Sequence, residues 1–372
     1  MQQVGRSFDC LTIDSFARQL SYRWISLSRA LLLPDPGESD FDLVCANAGF
    51  LLKREEVAAW VYRTFPIIVI DEAQDLTASR LEILKSLAFQ SILLLAGDEF
   101  QCLDSALKPN PYSVWINSIC QPDTLNQVRR TKQKDLLDAA LTLRHGRCLK
   151  VQSKGSSKIF YAPTAKVGAV FLSNQIAWNL KHSIAVLTPS LKGGFATDIV
   201  NLVAAGPSGK KQTGPYHVSW ERKTDEEAED LLRWLQIPAN DGHTALAHAE
   251  LRTRIATLPM SSVIREVTRW IEHQCHTLGR SHASHQEIRA SVLRCLERRS
   301  QIAAPHHRRF TAMTIHQAKN REFDGVVIVW PYQVAGDLDQ KRRLLYNGVT
   351  RARHWCVSLV QGNTSPANSP FE

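Results

Sequence analysis

Long apolar runs are missing from this 372-residue chain. No stretch of about 18 consecutive hydrophobic residues occurs, so no membrane-spanning helix and no membrane partner are expected. The start of the chain lacks the basic-then-apolar pattern of a secretory signal. The cysteines at 10, 45, 102, 120, 148, 275, 295 and 356 include no C-x-x-C pair. Such scattered thiols suit a reduced, cytoplasmic protein better than a disulfide framework. His273, Cys275, His276, His282 and His285 match no common zinc spacing, and read as a solvated helix–loop–helix edge. No Ser-His-Asp or Cys-His arrangement stands out, and no internal repeat is legible.

What is present suits a large globular protein. Hydrophobic residues make up 44%, and the length predicts two domains or slightly more. The formal charge of +9 favours a polyanionic partner, which fits nucleic acid without requiring it. The most informative stretch runs from Phe65 to Asp75. Four apolar residues, Ile67 to Ile70, lead straight into Asp71 and Glu72. A short β-rich run of this kind reads as a buried strand, and ligands of open α/β sheets gather at the carboxyl ends of such strands. A carboxylate there can hold Mg²⁺, and its neighbour can orient or deprotonate a water. A second strand-like run, Ser91 to Ala96, ends in Gly97-Asp-Glu-Phe-Gln101. Gln101 could hydrogen-bond both a terminal phosphate and its attacking water.

These strings resemble motifs of the superfamily 1 helicases of the UvrD/Rep type. Asp71-Glu-Ala-Gln-Asp75 looks like their Walker B motif, and Gly97-Asp-x-x-Gln101 like motif III. Thr314-Ile-His-Gln-Ala-Lys-Asn-Arg-Glu-Phe-Asp324 resembles motif V. Arg342 to Arg353 resembles motif VI, Leu125 to Thr131 motif IV, and Leu11 to Ala17 motif Ib. Six motifs in the family's order identify the chain as a member.

The resemblance implies two RecA-like parallel-sheet domains of the P-loop NTPase type, with Mg²⁺ and ATP bound between them. Asp71 would bind Mg²⁺ and Glu72 would activate water. Gln101 would sense the γ-phosphate. Arg130, with Arg129 as an alternative, and Arg351 would close on the phosphates, and Glu322 would accept from the ribose. Thr12, Thr314 and His316 would face DNA phosphates. Three positions depart from the family pattern: Asp14 replaces a histidine, Ala106 replaces a base-stacking aromatic, and Asn320 replaces a glycine. A fourth departure is larger, because residues 1–372 contain no G-x-x-x-x-G-K-[ST]. That loop and its lysine cradle phosphates in P-loop proteins. Gly206 to Thr213 has the wrong spacing and reads as a solvated turn.

The expected organisation follows from motif order. Residues 1–145 form a partial first RecA-like domain. Residues 146–204 and 306–362 form the second, 205–305 form a reduced accessory insertion, and 363–372 form a flexible tail. The expected function is an ATP-dependent DNA helicase that tracks single-stranded or partly duplex DNA, generally 3′ to 5′. DNA repair is one setting. Anti-phage defence is another, since the size resembles the helicase component of two-gene systems such as Gabija. The alternative is an ATPase-deficient DNA-binding or regulatory subunit. Its protein partner would be a nuclease or a chain supplying the missing ATP-binding segment.

Overall fold

The computed structural model describes residues 10–34, 40–125, 128–207, 209, 212–221, 224–238, 244–302, 309–366 and 368–372. In chain order the elements begin with helices α1 (Ile13–Arg23), α2 (Ile25–Ala30), α3 (Phe41–Leu51) and α4 (Glu55–Thr64). Then come β1 (Ile67–Ile70), α5 (Ala78–Leu87), β2 (Ile92–Leu95), α6 (Pro111–Ile119) and α7 (Lys134–Arg144). Next are β3 (Ser157–Ala162), α8 (Ala165–Trp178), β4 (Ile184–Thr188), α9 (Phe195–Ala205) and β5 (Ser219–Trp220). A mostly helical stretch follows: α10 (Thr224–Trp234), β6 (Ala245–Ala247), α11 (His248–Ala256), α12 (Ser262–His276), β7 (His282–Ser284) and α13 (His285–Ile302). The chain closes with β8 (Phe310–Thr314), β9 (Phe323–Trp330), α14 (Leu338–Val349) and β10 (Ala352–Gln361).

Two compact units result. The first comprises Met1–Glu99, Ala106–Gln121 and Lys223–Ile302. The second comprises Phe100–Ser105, Pro122–Arg222 and Ala303–Glu372. The boundaries differ from those expected by motif order. Helix α7 joins the second unit because Leu136, Ala139 and Leu143 are buried in that unit's core. The insertion, expected as part of the second domain, groups with the first unit from residue 223 to 302.

The second unit is a parallel α/β sheet in the order β3-β10-β9-β4-β8-β5. Its central strands read as unbroken apolar runs because both faces are covered. All five residues of β4 are buried. Leu187 and Ile328 face α7 and α14, while Val186, Val327 and Val329 pack with residues of α8 and α9. Gly325 is needed in β9, since a Cβ there would lie 2.0 Å from the Trp355 ring. Helix α14 starts with a capping box, in which Asp337 accepts from the Gln340 amide at 2.8 Å and Gln340 accepts in return at 3.0 Å.

Of the tail expected to be loose, residues 368–372 pack back onto this unit. The Leu149 amide donates to Pro370 at 2.8 Å, and the Glu372 amide donates to Leu149 at 2.8 Å. Phe371 is only 3% exposed and meets the Trp330 ring edge-on at 5.5 Å. An aromatic residue near the chain end supplies apolar area that the polar run before it conceals in the sequence.

The first unit holds two cores. In one, α1, α3, α4 and α5 cover one face of a two-stranded parallel sheet made by β1 and β2. Asp14 explains itself here. It accepts from Arg80 Nε at 2.8 Å and from the Cys45 thiol at 3.3 Å, joining α1, α3 and α5. Burial and the Asp14 carboxylate together push the Cys45 thiol up to about 12.

The other core belongs to the insertion and includes Leu232, Leu251, Val267, Ile271, Ile288 and Val292. It contains a short duplication that is not legible in the sequence alone. Ala245-Leu-Ala-His-Ala-Glu-Leu-Arg252 and His282-Ala-Ser-His-Gln-Glu-Ile-Arg289 each form a strand, a buried histidine and a helix. The strands pair antiparallel, Leu246 opposite Ala283. The His248 amide donates to Ser281 at 2.9 Å, and the His285 amide to Thr244 at 3.0 Å, giving the pair local two-fold character. Among the described residues, no group of three or more His, Cys, Asp or Glu side chains is placed to hold a metal.

If the tail is part of the second unit's core, Phe371→Ala destabilises that unit by about 3 kcal/mol, the usual cost of emptying a buried aromatic site. Urea unfolding followed by tryptophan fluorescence measures this; an unchanged midpoint would mean the tail is loose in solution.

Candidate functional site

The carboxyl ends of β1 and β2 carry the first group of candidates. Ala73 donates to Ala96 at 2.9 Å, which ties the turn after β1 to the end of β2. Glu72 sits at φ 55°, the left-handed region that a non-glycine residue adopts at a cost. Strain of this kind persists only where neighbours hold it in place, and Gln74 is that neighbour. Its side chain is fully buried. Its Nε2 donates to Glu72 Oε2, its Oε1 accepts from the Asp98 amide at 2.9 Å, and its carbonyl accepts from Asn110 Nδ2 at 2.8 Å. Asp71 Oδ1 accepts from the Glu72 amide at 2.9 Å.

Sequence reasoning singled out Asp71 and Glu72 and passed over Gln74 and Asn110, which set the turn's geometry. A buried amide is legible only once its partners 24 and 36 residues away are known. Gly97 contributes by size, because a Cβ there would stand 2.7 Å from the Tyr112 ring.

The second unit carries two separate groups. At the amino edge of its sheet stand Gln101, Arg130, Glu322 and Arg351. Arg351 is 2% exposed, and its Nε donates to Asn347 carbonyl at 3.1 Å. Its Nη2 donates to Gln101 Oε1 at 3.2 Å, joining side chains 250 residues apart. Gln101 thus lies with the second unit, although motif order places it in the first domain. Arg130 Nε donates to Glu322 Oε1 at 2.6 Å and its Nη1 to Thr350 carbonyl at 2.9 Å. Arg353, which sequence reasoning did not select, donates from Nε to Glu322 Oε2 at 3.0 Å. Partial burial alone would push the Glu322 carboxyl up; the bonds from Arg130 and Arg353 outweigh it and hold the group below its ordinary value. One carboxylate therefore accepts from both arginines. Of motif IV, Asn126 and Gln127 lie outside the described residues.

Thr314 and His316 belong to the opposite edge. Thr314 ends β8, while Glu322 and Arg351 precede β9 and β10. The strands are parallel, so the two groups are separated by roughly the 15 Å length of a five-residue strand. The Thr314 hydroxyl donates to Gln317 Oε1 at 3.1 Å, and His316 is exposed. Asn320 adopts φ 62°, so it keeps the left-handed turn that a glycine would make there, a conformation asparagine tolerates.

Thr12, in the first unit, caps α1 by accepting from the Ser15 amide at 3.1 Å. Near motif III the aromatic residue is Phe100. It packs edge-on against Tyr346 at 5.0 Å, with the Arg343 guanidinium 5.2 Å from its ring centre. Ala106 is exposed and offers no stacking surface.

Two family models match the chain. The UvrD/REP helicase N-terminal domain matches residues 26–103, and the UvrD-like helicase C-terminal domain matches residues 309–358. The first span contains Asp71, Glu72 and Gln101; the second contains Thr314, His316, Glu322 and Arg351. Thr12 and Arg130 fall outside both. No curated protein matches the chain.

The double ion pair at Glu322 predicts that Glu322→Gln lowers the stability of the second unit by about 1 kcal/mol at pH 7, a value discounted for partial exposure. The wild-type advantage is full above the ordinary glutamate value of 4.5 and is lost as pH falls through the depressed folded value. Urea midpoints of both proteins from pH 7 down to about pH 3 check this; a pH-independent difference would contradict it.

Proposed function

The chain belongs to the UvrD/Rep helicase family, and on that premise we propose that it is the motor portion of an ATP-dependent DNA translocase. Its substrate is single-stranded or partly duplex DNA, tracked 3′ to 5′ as in the family. The observation that carries this reading is the Gln101–Arg351 hydrogen bond at 3.2 Å, which couples a phosphate-sensing amide to a closing arginine. The strained Glu72 beside Asp71 supports it.

The residues fit Mg²⁺-ATP in part. Mg²⁺ is usually held by one or two carboxylates together with phosphate oxygens, which suits Asp71 with Glu72 close by. Bound Mg²⁺-ATP supplies the phosphoryl group whose loss drives translocation. In that reaction Glu72 would take a proton from water, Gln101 would orient that water, and Arg130 and Arg351 would offset charge on the terminal phosphate. Glu322 would accept from the ribose. The backbone cradle and lysine for the inner phosphates have no counterpart in residues 1–372. Thr12, Thr314 and His316 would contact DNA phosphates.

That missing cradle also favours a second reading. In it the chain is a DNA-binding or regulatory subunit without ATPase activity, docked on a partner such as a nuclease, in DNA repair or anti-phage defence. Asp14 weighs against strand tracking, because an acid bonded to Arg80 is a poor phosphate contact. The packed Phe100 and exposed Ala106 weigh against it too, because a base-stacking platform is worth roughly 1–3 kcal/mol per base.

Mg²⁺-ATP hydrolysis by the purified chain, with and without single-stranded DNA, separates the readings. The first predicts DNA-stimulated hydrolysis that Glu72→Gln reduces by about 100-fold or more, the scale of losing a catalytic base. No hydrolysis with salt-sensitive DNA binding intact would replace the first reading with the second.

A further inference from the structure

A protein that holds a single strand needs polar groups for its phosphates and aromatic faces for its bases. Thr314 and His316 supply polar groups at the carboxyl edge of the second unit's sheet. No ring serves the bases near motif III, because Ala106 has none and Phe100 is packed against Tyr346. Among the described residues of the second unit, two aromatic side chains are widely exposed, Trp178 at 61% and Tyr332 at 59%. Trp178 ends α8, which runs back from the end of β3 toward the start of β4 and so finishes at the amino edge. Tyr332 follows β9 by two residues and stands at the carboxyl edge.

The structure fixes the backbone of Tyr332 and leaves its ring open. Trp330 and Pro331 before it are buried. Its amide donates to Gln361 Oε1 at 2.9 Å, and the chain turns beside its ring at Gly362, φ 113°. Among the described residues its hydroxyl has no hydrogen bond and its ring no aromatic partner. A tyrosine held in this way has only two side-chain torsions to order, so stacking costs it little entropy. Its neighbours along the edge follow from the strand order β9-β4-β8. The turn after β4 carries exposed Lys192 and two glycines in the left-handed region, Gly193 at φ 83° and Gly194 at φ 70°. Thr314 ends β8 opposite Thr188, and exposed His316 follows. Two strand spacings, roughly 10 Å, separate β9 from β8, which a few nucleotides of single strand bridge. The acids that follow Tyr332, Asp337 and Asp339, are engaged in the cap of α14 and with Arg343.

We propose that Tyr332 is a base-stacking residue for single-stranded DNA and supplies the ring that Ala106 and Phe100 do not offer. The inference rests on the DNA binding common to both readings given above. A base lies on the Tyr332 ring, and the phosphates beside it run past Lys192 toward Thr314 and His316. A lysine, a hydroxyl and a histidine in line with the ring are groups that meet phosphate oxygens, which favours nucleic acid over a peptide at this edge. The ring makes the contact and the hydroxyl does not, so phenylalanine can replace tyrosine.

The test uses the full chain and a fluorescein-labelled oligothymidylate, with anisotropy followed from about 50 to 200 mM salt. Tyr332→Ala should weaken binding about tenfold, the scale of losing one stacked base, and Tyr332→Phe should stay within about twofold of wild type. Far-ultraviolet circular dichroism should not change, since the side chain is exposed. The slope of log affinity against log salt should be the same for Tyr332→Ala and wild type, because a ring releases no counterions. Irradiation of an oligonucleotide carrying 5-iodouracil should cross-link it to the peptide that contains Tyr332. Wild-type affinity in Tyr332→Ala, or equal losses in Tyr332→Ala and Tyr332→Phe, overturns the proposal and leaves the DNA reading standing. Failure of the wild-type chain to bind any single strand removes the DNA reading and the proposal with it.

Discussion

The constraint on which this structure depends is the burial of parallel strands. A parallel sheet has two apolar faces, and each needs a layer of helices. In the second unit the requirement is met, with Leu187 and Ile328 facing one pair of helices and Val186, Val327 and Val329 facing another. The rigid sheet that results holds Gln101, Arg130, Glu322 and Arg351 at one edge and Thr314 at the other. In the first unit the requirement is met by half. Four exposed aliphatic side chains lie directly behind the carboxylates that the nucleotide reading needs. Among the described residues no helix covers that face of β1 and β2.

Electrostatics divides along the same line. The acidic turn after β1 is fixed by amide donors and acceptors, with buried Gln74 as the common partner, and among the described residues Asp71 and Glu72 form no ion pair. The arginines of the second unit are already engaged. Glu322 accepts from Arg130 and Arg353, and Arg351 is enclosed by Asn347, Thr350 and Gln101. Any phosphate that recruits Arg130 must compete with a carboxylate whose depressed proton affinity reflects the strength of those bonds.

Much of the architecture was legible because local pattern and long-range packing agree. Ile67 to Ile70 and Val326 to Trp330 are apolar runs that end in polar turns, and both are strands. The stretch from Leu43 to Tyr62 is helical as its composition suggests, apart from the turn around Lys53. What stayed hidden depends on partners distant in the chain. Asp14 reads as a failed DNA contact until Arg80 and Cys45 are seen beside it. Gln101 follows a strand of the first unit in sequence, yet it belongs with Arg351 to the second unit and accepts from it there. Phe371 ends a polar tail but packs on Trp330. The paired β6–α11 and β7–α13 segments share only a few residue types over eight positions, too little to register as a repeat without the antiparallel ladder between them.

Hydrogen exchange resolved by residue tests the central claim most directly. Strands β4 and β9, covered on both faces, should hold their amides at the slowest rates of the chain. The amides of β1 and β2 should exchange faster by on the order of 100-fold or more, because opening an uncovered sheet disturbs little packing. Protection of β1 and β2 equal to that of β4 and β9 would contradict the account, since it would mean that the exposed face is already covered in the isolated protein.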